Sequence, residues 1–396
     1  MKQLSILAFL FLLVPAANAE LTAFNRWVNL KPTTYRFEHR PSERSHPVIV
    51  GDILYYATLN GDIFALHRIQ GNVLWHRNIG APIDGAFSYG RSKLFVGDTR
   101  GNLYALEARN GDVVWQKKVS SQWLTPPVQV GSRLFAMTSA HELYAYSERK
   151  GEELWQYARH GDEKMTIRGT ATPVVFGSEI YQGFADGYMV ALSMETGKLR
   201  WEKKLRQRAR FYDVDTTPYV DAEKLITGTY DGSLYSLDRQ TGDIQWRLPV
   251  GSYGGVLVEN NRLFFSGLDK NVYSVDAVSG KVLWKTPFNK GVGMAPSLVR
   301  GGLVVPTSAD PLYVLDPETG KILWTERLGT GTTSPASVHQ DGWFYCLSNY
   351  GQLYAFEMVE RPHRDKAWGT LKTLSAIYRE NGGTIESTAT ASGSGT

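Results

Sequence analysis

The side chains that most often carry out catalysis are scattered along this chain rather than grouped. The sequence contains no nucleophile elbow, no glycine-rich phosphate loop and no two histidines at metal-ligand spacing. The eight histidines are His39, His46, His67, His76, His141, His160, His339 and His363. We therefore predict no catalytic residue, no metal site and no cofactor.

The cysteine content and the net charge exclude other kinds of chemistry. The single cysteine, Cys346, lies in the apolar run 343–347, which predicts a small buried hydrophobe rather than a reactive thiol. With one cysteine, no intramolecular disulfide can form. A formal net charge of +4 over 396 residues is too weak to indicate nucleic-acid binding.

Two stretches, residues 162–173 and 203–218, carry side chains suited to recognition of another macromolecule. The candidate partner-binding residues are Met165, Ile167, Arg168, Asp213 and Asp215. Arginine is enriched at interface hot spots, and methionine or isoleucine can fill a small pocket. The alternative is that the arginine and the two aspartates form a salt bridge within the protein. These two interpretations are compatible.

The second stretch also contains a run of five basic residues. They are Lys203, Lys204, Arg206, Arg208 and Arg210. A solvated loop explains such a run, and an anionic lipid head group or an acidic partner is the alternative.

The elements that position these stretches come from a repeated phrase, in which a tyrosine-containing strand, a glycine turn and a tryptophan follow one another. It runs over 104–115 and again over 313–324. The closing tryptophans are Trp75, Trp115, Trp155, Trp201, Trp246, Trp284 and Trp324, at intervals of 40, 40, 46, 45, 38 and 40 residues. A period of about 40 residues built from short strands is typical of a β-propeller with four-stranded blades. The two longest intervals contain the two candidate stretches, which places them in connections between blades.

Eight blades are predicted, and the last requires a strand from the other end of the chain. Its repeat has no glycine turn, and the expected tryptophan position after Tyr354 is Asp365. The segment Phe24–Leu30 resembles a fourth strand without a blade of its own. We expect it to complete the last blade and close the ring, which removes an open sheet edge. Closure by Trp368 is the weaker alternative.

The remaining segments have their own compositions. Residues 1–19 read as an export signal, with a basic end, an apolar core and a small-residue cleavage site. The propeller is predicted over 20–360. Apolar residues at helical spacing predict a short helix over 361–381, and 382–396 read as a disordered tail.

The chain resembles the BamB family of outer-membrane protein assembly factors, within the pyrroloquinoline-quinone-like β-propellers. The repeat indicates only the propeller fold, but it covers nearly the whole chain. The two stretches are more discriminating, because the run 165–169 (Met-Thr-Ile-Arg-Gly) is similar to the family's Leu-x-Leu-Arg-Gly. The run 212–218 (Tyr-Asp-Val-Asp-Thr-Thr-Pro) is similar to its Ser-Asp-Val-Asp-Thr-Thr-Pro.

The resemblance implies a non-enzymatic periplasmic scaffold at the inner face of the outer membrane. In that family the matching residues contact the periplasmic domains of BamA, the barrel that inserts outer-membrane proteins, and unfolded outer-membrane proteins are possible further partners. The chain departs from the family in one respect, because no lipid-anchor cysteine follows the predicted cleavage site. The alternatives are an exported interaction module for another envelope complex and a quinone-dependent dehydrogenase.

Overall fold

The polypeptide forms eight four-stranded antiparallel sheets arranged as the blades of a propeller. The computed structural model describes residues 20–29, 42–85, 87–159, 171–205, 213–230, 232–252 and 254–361. The predicted all-β, eight-bladed architecture is confirmed. The predicted signal peptide, the predicted tail and the predicted helix over 361–381 lie outside the described residues, except for Arg361, which ends the last strand. The described residues contain no helix, and thus none with the length and apolarity needed to cross a bilayer.

Seven blades use four consecutive strands, and blade 8 takes its fourth strand from the N-terminal side. The first strands are β2 (Val48–Val50), β6 (Phe87–Gly90), β10 (Val128–Val130), β14 (Val174–Phe176), β18 (Tyr219–Val220), β22 (Leu257–Glu259), β26 (Ser297–Val299) and β30 (Ser337–Val338). The second strands are β3 (Ile53–Ala57), β7 (Lys93–Gly97), β11 (Arg133–Met137), β15 (Glu179–Gly183), β19 (Lys224–Gly228), β23 (Arg262–Ser266), β27 (Gly302–Val305) and β31 (Trp343–Leu347). The third strands are β4 (Asp62–His67), β8 (Asn102–Glu107), β12 (Glu142–Ser147), β16 (Tyr188–Ser193), β20 (Leu234–Asp238), β24 (Asn271–Asp276), β28 (Leu312–Leu315) and β32 (Leu353–Arg361). The fourth strands are β5 (Val73–Asn78), β9 (Val113–Lys118), β13 (Glu153–Ala158), β17 (Leu199–Lys204), β21 (Ile244–Leu248), β25 (Val282–Pro287), β29 (Ile322–Glu326) and β1 (Glu20–Asn29).

The hydrophobic core lies between neighbouring blades rather than inside any one of them. The second and third strands are buried on both faces, as β7 and β8 show, because each sheet is covered by a blade on either side. One cluster, for example, joins Tyr55 of blade 1 to Leu94 and Leu106 of blade 2. Strands buried on both faces need continuous apolar runs instead of alternation, as these sequences show. The fourth strands alternate because only one of their faces is covered.

The predicted closure of the ring by the N-terminal segment is confirmed. Strand β1 pairs with β32 at the outer edge of blade 8. Arg26 and Glu357 join the two strands through an ion pair, with Nε donating to Oε2 over 2.7 Å. Trp27 reaches onward to blade 1, where its indole Nε1 donates to the carbonyl of Arg68 over 3.0 Å. The ring is therefore held shut by residues that lie more than three hundred positions apart.

A buried arginine adds a second fastening between blades 8 and 1. The Arg68 side chain is 6% exposed, and its Nη2 lies 2.7 Å from the Asp341 carboxylate of blade 8. Its Nε donates to the carbonyl of Gly51 over 3.1 Å. The Tyr345 hydroxyl donates to the Arg68 carbonyl over 3.1 Å. Blade 1 is thus tied to blade 8 through both the backbone and the side chain of one residue.

The repeated tryptophans link each blade to the next. Each indole N–H donates to a carbonyl at the turn after the third strand of the following blade, over 2.9–3.2 Å. The pairs are Trp27 with Arg68, Trp75 with Ala108, Trp115 with Glu148, Trp155 with Met194, Trp201 with Arg239, Trp246 with Ala277 and Trp284 with Pro317. The ring of each tryptophan packs on the turn glycine of that blade. Trp324 instead packs edge-on against Phe356 of blade 8, which has no such turn. We call each indole–turn contact a latch.

The aspartates of these turns have the structural role that their recurrence predicts. Asp238 Oδ1 accepts hydrogen bonds from the backbone amides of Gln240 and Thr241, over 2.9 and 2.8 Å. Asp316 does the same two blades later. Gly242 and Gly320 follow with φ of 74° and 72°, a conformation that glycine adopts without strain. A bulge between the third and fourth strands accompanies the turn, as at Ser236.

Candidate functional site

The two long connections belong to one side of the ring. Because the four strands of a blade alternate in direction, the fourth strand ends on the side where the next first strand begins. All connections between consecutive blades therefore lie on this side, which we call the connection face. The connection from β13 to β14 is described up to Arg159 and from Ala171, and that from β17 to β18 up to Leu205 and from Asp213. Met165, Ile167 and Arg168 belong to the first connection and lie outside the described residues.

Arg159 anchors the start of the first long connection, and sequence reasoning did not identify it. Its guanidinium bonds to Asp186 over 2.6 Å and to Glu202 over 2.5 Å, both in blade 4. It also lies 4.4 Å from the ring centroid of Tyr188. These contacts raise the pKa of Arg159 despite its burial. The chain therefore leaves blade 3 while fixed to blade 4 by a charge-assisted network.

The described part of the basic run, Lys203 and Lys204, forms the end of the outer strand β17. Lys203 Nζ lies 3.0 Å from Asp243 of blade 5, and Lys204 Nζ lies 5.5 Å from the Tyr188 ring. The other three basic residues of the run lie outside the described residues. A role in lipid or acidic-partner binding stays a prediction.

The two aspartates of the second stretch are buried, whereas sequence reasoning placed them in an exposed contact patch. Asp213 has no exposed surface and Asp215 is 5% exposed. The segment that carries them runs between blades 4 and 5, since the amide of Val214 donates to the Phe184 carbonyl and that of Tyr230 to the Asp213 carbonyl. Gly183 permits this approach, because a Cβ there would lie 2.3 Å from the Val214 carbonyl oxygen. Their assignment to partner binding stays a prediction.

Asp215 faces a cavity of about 380 Å³ at the hub of the ring. Residues just before the first strand of every blade line this cavity, so it lies on the axis at the connection face. One lining residue from each blade in order is Arg44, Gly85, Leu124, Thr172, Asp215, Gly254, Met294 and Thr333. The sequence marks the hub residues only weakly. A threonine or alanine followed by proline recurs at Thr125, Thr172, Thr217 and Ala295, whereas the other lining residues differ from one blade to the next.

The hub holds a buried carboxyl group in an unfavourable electrostatic environment. Burial raises the pKa of Asp215 well above its ordinary value, and the neighbouring Asp213 carboxylate raises it further, against the opposing effect of Arg44. Asp215 Oδ2 accepts no hydrogen bond from any described residue. Burial also lowers the pKa of His46, which lines the same cavity and is neutral at pH 7. The carboxyl of Asp215 is therefore difficult to ionise unless a hydrogen-bond donor or a cation binds to it.

We expect Asp215→Asn to increase stability at neutral pH. A carboxyl whose pKa rises on folding stabilises the protein fully only below its unfolded pKa of about 3.9, and this contribution is lost as pH rises through the folded pKa. The isosteric amide removes that loss, so the free energy of unfolding should rise by on the order of 1 kcal/mol at pH 7 and change little at about pH 4. Urea unfolding at both pH values measures the difference.

Asp243→Asn is the matched control, because this exposed carboxylate has the opposite pKa shift. The hydrogen bond from Lys203 is the largest cause of its lowered pKa. Removing its charge should not stabilise the protein at pH 7. An equal gain in the free energy of unfolding of both variants would show that the burial of Asp215 is not the cause.

Among the described residues, no group of three or more His, Cys, Asp or Glu side chains lies close enough to hold a metal ion. Cys346, as predicted, is buried, and it lies in β31 away from the hub lining. Burial raises the pKa of its thiol, which keeps it protonated.

Eight four-stranded blades joined by tryptophan latches define a β-propeller of the pyrroloquinoline-quinone-like class. Within this class the chain belongs to the BamB family, because the family model described as outer membrane protein assembly factor BamB matches residues 59–286 and 230–358. A curated relative, the outer membrane protein assembly factor BamB of Legionella pneumophila (strain Paris), is 29% identical over 203 residues. That match spans 50% of this chain and 53% of the relative, about half of its length.

Solved structures share the fold at lower identity. BamB from Moraxella catarrhalis has a TM-score of 0.73 and 21% identity, over 85% of this chain and 100% of that one. A europium-containing methanol dehydrogenase has a TM-score of 0.71 and 14% identity, over 85% and 93% of the two chains. Quinohemoprotein alcohol dehydrogenase from Comamonas testosteroni has a TM-score of 0.68 and 14% identity, over 85% and 76%. At these identities the likeness concerns the fold alone.

Proposed function

We propose that the protein is a periplasmic, non-enzymatic scaffold of the machinery that assembles outer-membrane β-barrels. The observation that carries the proposal is the match of the BamB family model to 59–358, a span that includes both long connections. A propeller suits this role, because its rigid ring holds connections from different blades side by side. In this proposal the ring acts at the inner face of the outer membrane and binds BamA through its connection face.

The five predicted residues divide into two roles in this proposal. Met165, Ile167 and Arg168 make the direct contact with the periplasmic domains of BamA. Asp213 and Asp215 support that contact from beneath, since both are buried where the second long connection enters blade 5. Buried groups of this kind set the position of a loop without touching the partner.

The rim of the ring offers a second type of contact, with extended chains of unfolded outer-membrane proteins. The fourth strand of each sheet is its outer edge, and such edges can accept an added strand. Large apolar side chains are exposed on several of these strands, including Leu74 at 48%, Leu154 at 47% and Leu283 at 47%. Variants with a proline in these edge strands should lose affinity for unfolded barrel peptides. Unchanged affinity would exclude the rim as their binding site.

A pull-down from envelope extract tests the main proposal. Wild-type protein should retain BamA, and Arg168→Ala should reduce its recovery at least about tenfold, as expected when a hot-spot arginine is removed. The double variant Asp213→Asn and Asp215→Asn keeps side-chain shape and should weaken recovery less. Lys150→Ala is the control, since Lys150 is 66% exposed in a turn between the third and fourth strands, on the side opposite the connection face. Equal recovery by all four proteins would refute the proposal.

A further inference from the structure

Two residues that line the hub cavity each carry a buried polar atom that no described residue satisfies. Asp215 is 5% exposed and Thr125 is 2% exposed, and both line the cavity. Asp215 Oδ2 and Thr125 Oγ1 have no hydrogen-bond partner among the described residues. Leaving buried polar atoms unsatisfied costs about 1–3 kcal/mol each, so such atoms usually serve a ligand or ordered water.

The charges around the cavity favour a positively charged guest. Arg44 is the one guanidinium among its described lining residues. Its Nε lies 3.7 Å from Asp84, so a carboxylate outside the lining offsets part of its charge. The carboxyl of Asp215 faces the cavity with Asp213 close behind it. A cation placed at Asp215 would favour the ionised form of this carboxyl, which burial and Asp213 both disfavour.

The size and the walls of the cavity indicate an organic guest instead of a bare metal ion. A volume of about 380 Å³ is within the range of small-molecule sites. Leu124, Pro126, Met294 and Pro335 give it apolar walls. Gly254 and Gly255 widen it further, because a side chain at either position would project toward Ala295. An apolar body of about the size of a phenyl ring can pack against these walls.

We propose that the hub binds a small organic ammonium ion with an apolar body. Its ammonium group donates hydrogen bonds to Asp215 and Thr125, and its apolar body packs against Leu124 and Met294. The site shares Asp215 with the proposed partner contact, but it is tested by binding assays that do not involve BamA. Binding of such an ion would explain why the Asp215 carboxyl is buried at the hub, where neither the latches nor the hydrophobic core needs it.

Three probes of matched shape test the charge requirement on the full chain. Phenethylamine, phenethyl alcohol and hydrocinnamate differ mainly in carrying a cationic, a neutral or an anionic end group. Isothermal titration calorimetry at neutral pH should show phenethylamine binding at least about tenfold tighter than the other two. Binding of the alcohol or of hydrocinnamate with equal or greater affinity would overturn the proposal. So would the absence of any detectable binding of the amine.

Variants locate the site. Asp215→Asn should weaken phenethylamine binding at least about tenfold, because truncating one side of a buried charge pair is costly. This variant is expected to be more stable than wild type, so lost binding cannot be attributed to unfolding. Arg44→Gln should strengthen binding by removing the competing cation, and Asp243→Asn should leave it unchanged. If Asp215→Asn binds the amine as tightly as wild type, the site is not the hub. Retention of BamA by these variants is measured separately and does not bear on the outcome.

Discussion

Replacing Trp27 by alanine should open the ring and lower the free energy of unfolding by about 2–4 kcal/mol. This residue belongs to strand β1, which no turn connects to the rest of blade 8. Only the contacts that β1 makes with its neighbours, including those of Trp27, therefore hold it in place. Its indole donates to the Arg68 carbonyl over 3.0 Å and its ring lies 6.0 Å from that of Tyr345. Loss of the side chain removes the latch between blades 8 and 1 and leaves a cavity beside buried Tyr345. Urea unfolding followed by tryptophan fluorescence measures the change.

Asn25→Ala is the control for this prediction, because Asn25 lies on the same strand with its side chain exposed. Exposed substitutions of this kind change stability by about 0.5 kcal/mol or less. A Trp27→Ala variant that unfolds at the same urea concentration as Asn25→Ala would show that β1 contributes little to closure.

Placing a methyl group at Gly320 should break a latch from the opposite side. A Cβ there would lie 2.5 Å from Cε3 of Trp284 and 2.8 Å from Oγ1 of Thr286. Gly320 also has φ of 72°, which costs an L-residue about 1–2 kcal/mol. Overpacking adds a cost of about 1–3 kcal/mol. We therefore expect Gly320→Ala to lower the free energy of unfolding by about 2–5 kcal/mol in total. Equilibrium urea unfolding monitored by circular dichroism gives this value.

Gly131→Ala separates the two causes. Gly131 has a similar φ of 59°, but nothing lies within 4 Å of a Cβ built on it. The free energy of unfolding of Gly131→Ala should fall only by the backbone cost of about 1–2 kcal/mol. If the two alanine variants were equally destabilised, the tryptophan contact at Gly320 would carry no energetic weight.

The fold could be predicted largely because its signals are local and repeated. The spacing from tyrosine to glycine to tryptophan lies within one hairpin, and the Asp238 and Asp316 turns are decided by their own backbone amides. Even the closure by the segment around Trp27 followed from counting, since one blade lacked a fourth strand and one strand lacked a blade. The tryptophan spacing did not show that all of these indoles except that of Trp324 donate to the next blade, because that contact depends on how blades pack.

The candidate site could be predicted only in part, because it depends on contacts between blades that the local sequence does not reveal. The long tryptophan intervals located the two connections correctly. The burial of Asp213 and Asp215 was missed, because the carboxylates are covered by neighbouring blades that lie far away in sequence. The hub cavity was missed, since eight segments about 40 residues apart each contribute only one to three residues to it. Arg159 was missed because its partners belong to the following blade.

Photo-crosslinking in cells tests most directly whether the connection face carries the partner. A photoreactive amino acid would replace Arg168 in the first long connection or Lys150 in an exposed turn of the opposite side. We expect a crosslinked adduct with the periplasmic domains of BamA from position 168 and none from position 150. An adduct from position 150 alone, or no BamA adduct from either position, would contradict it.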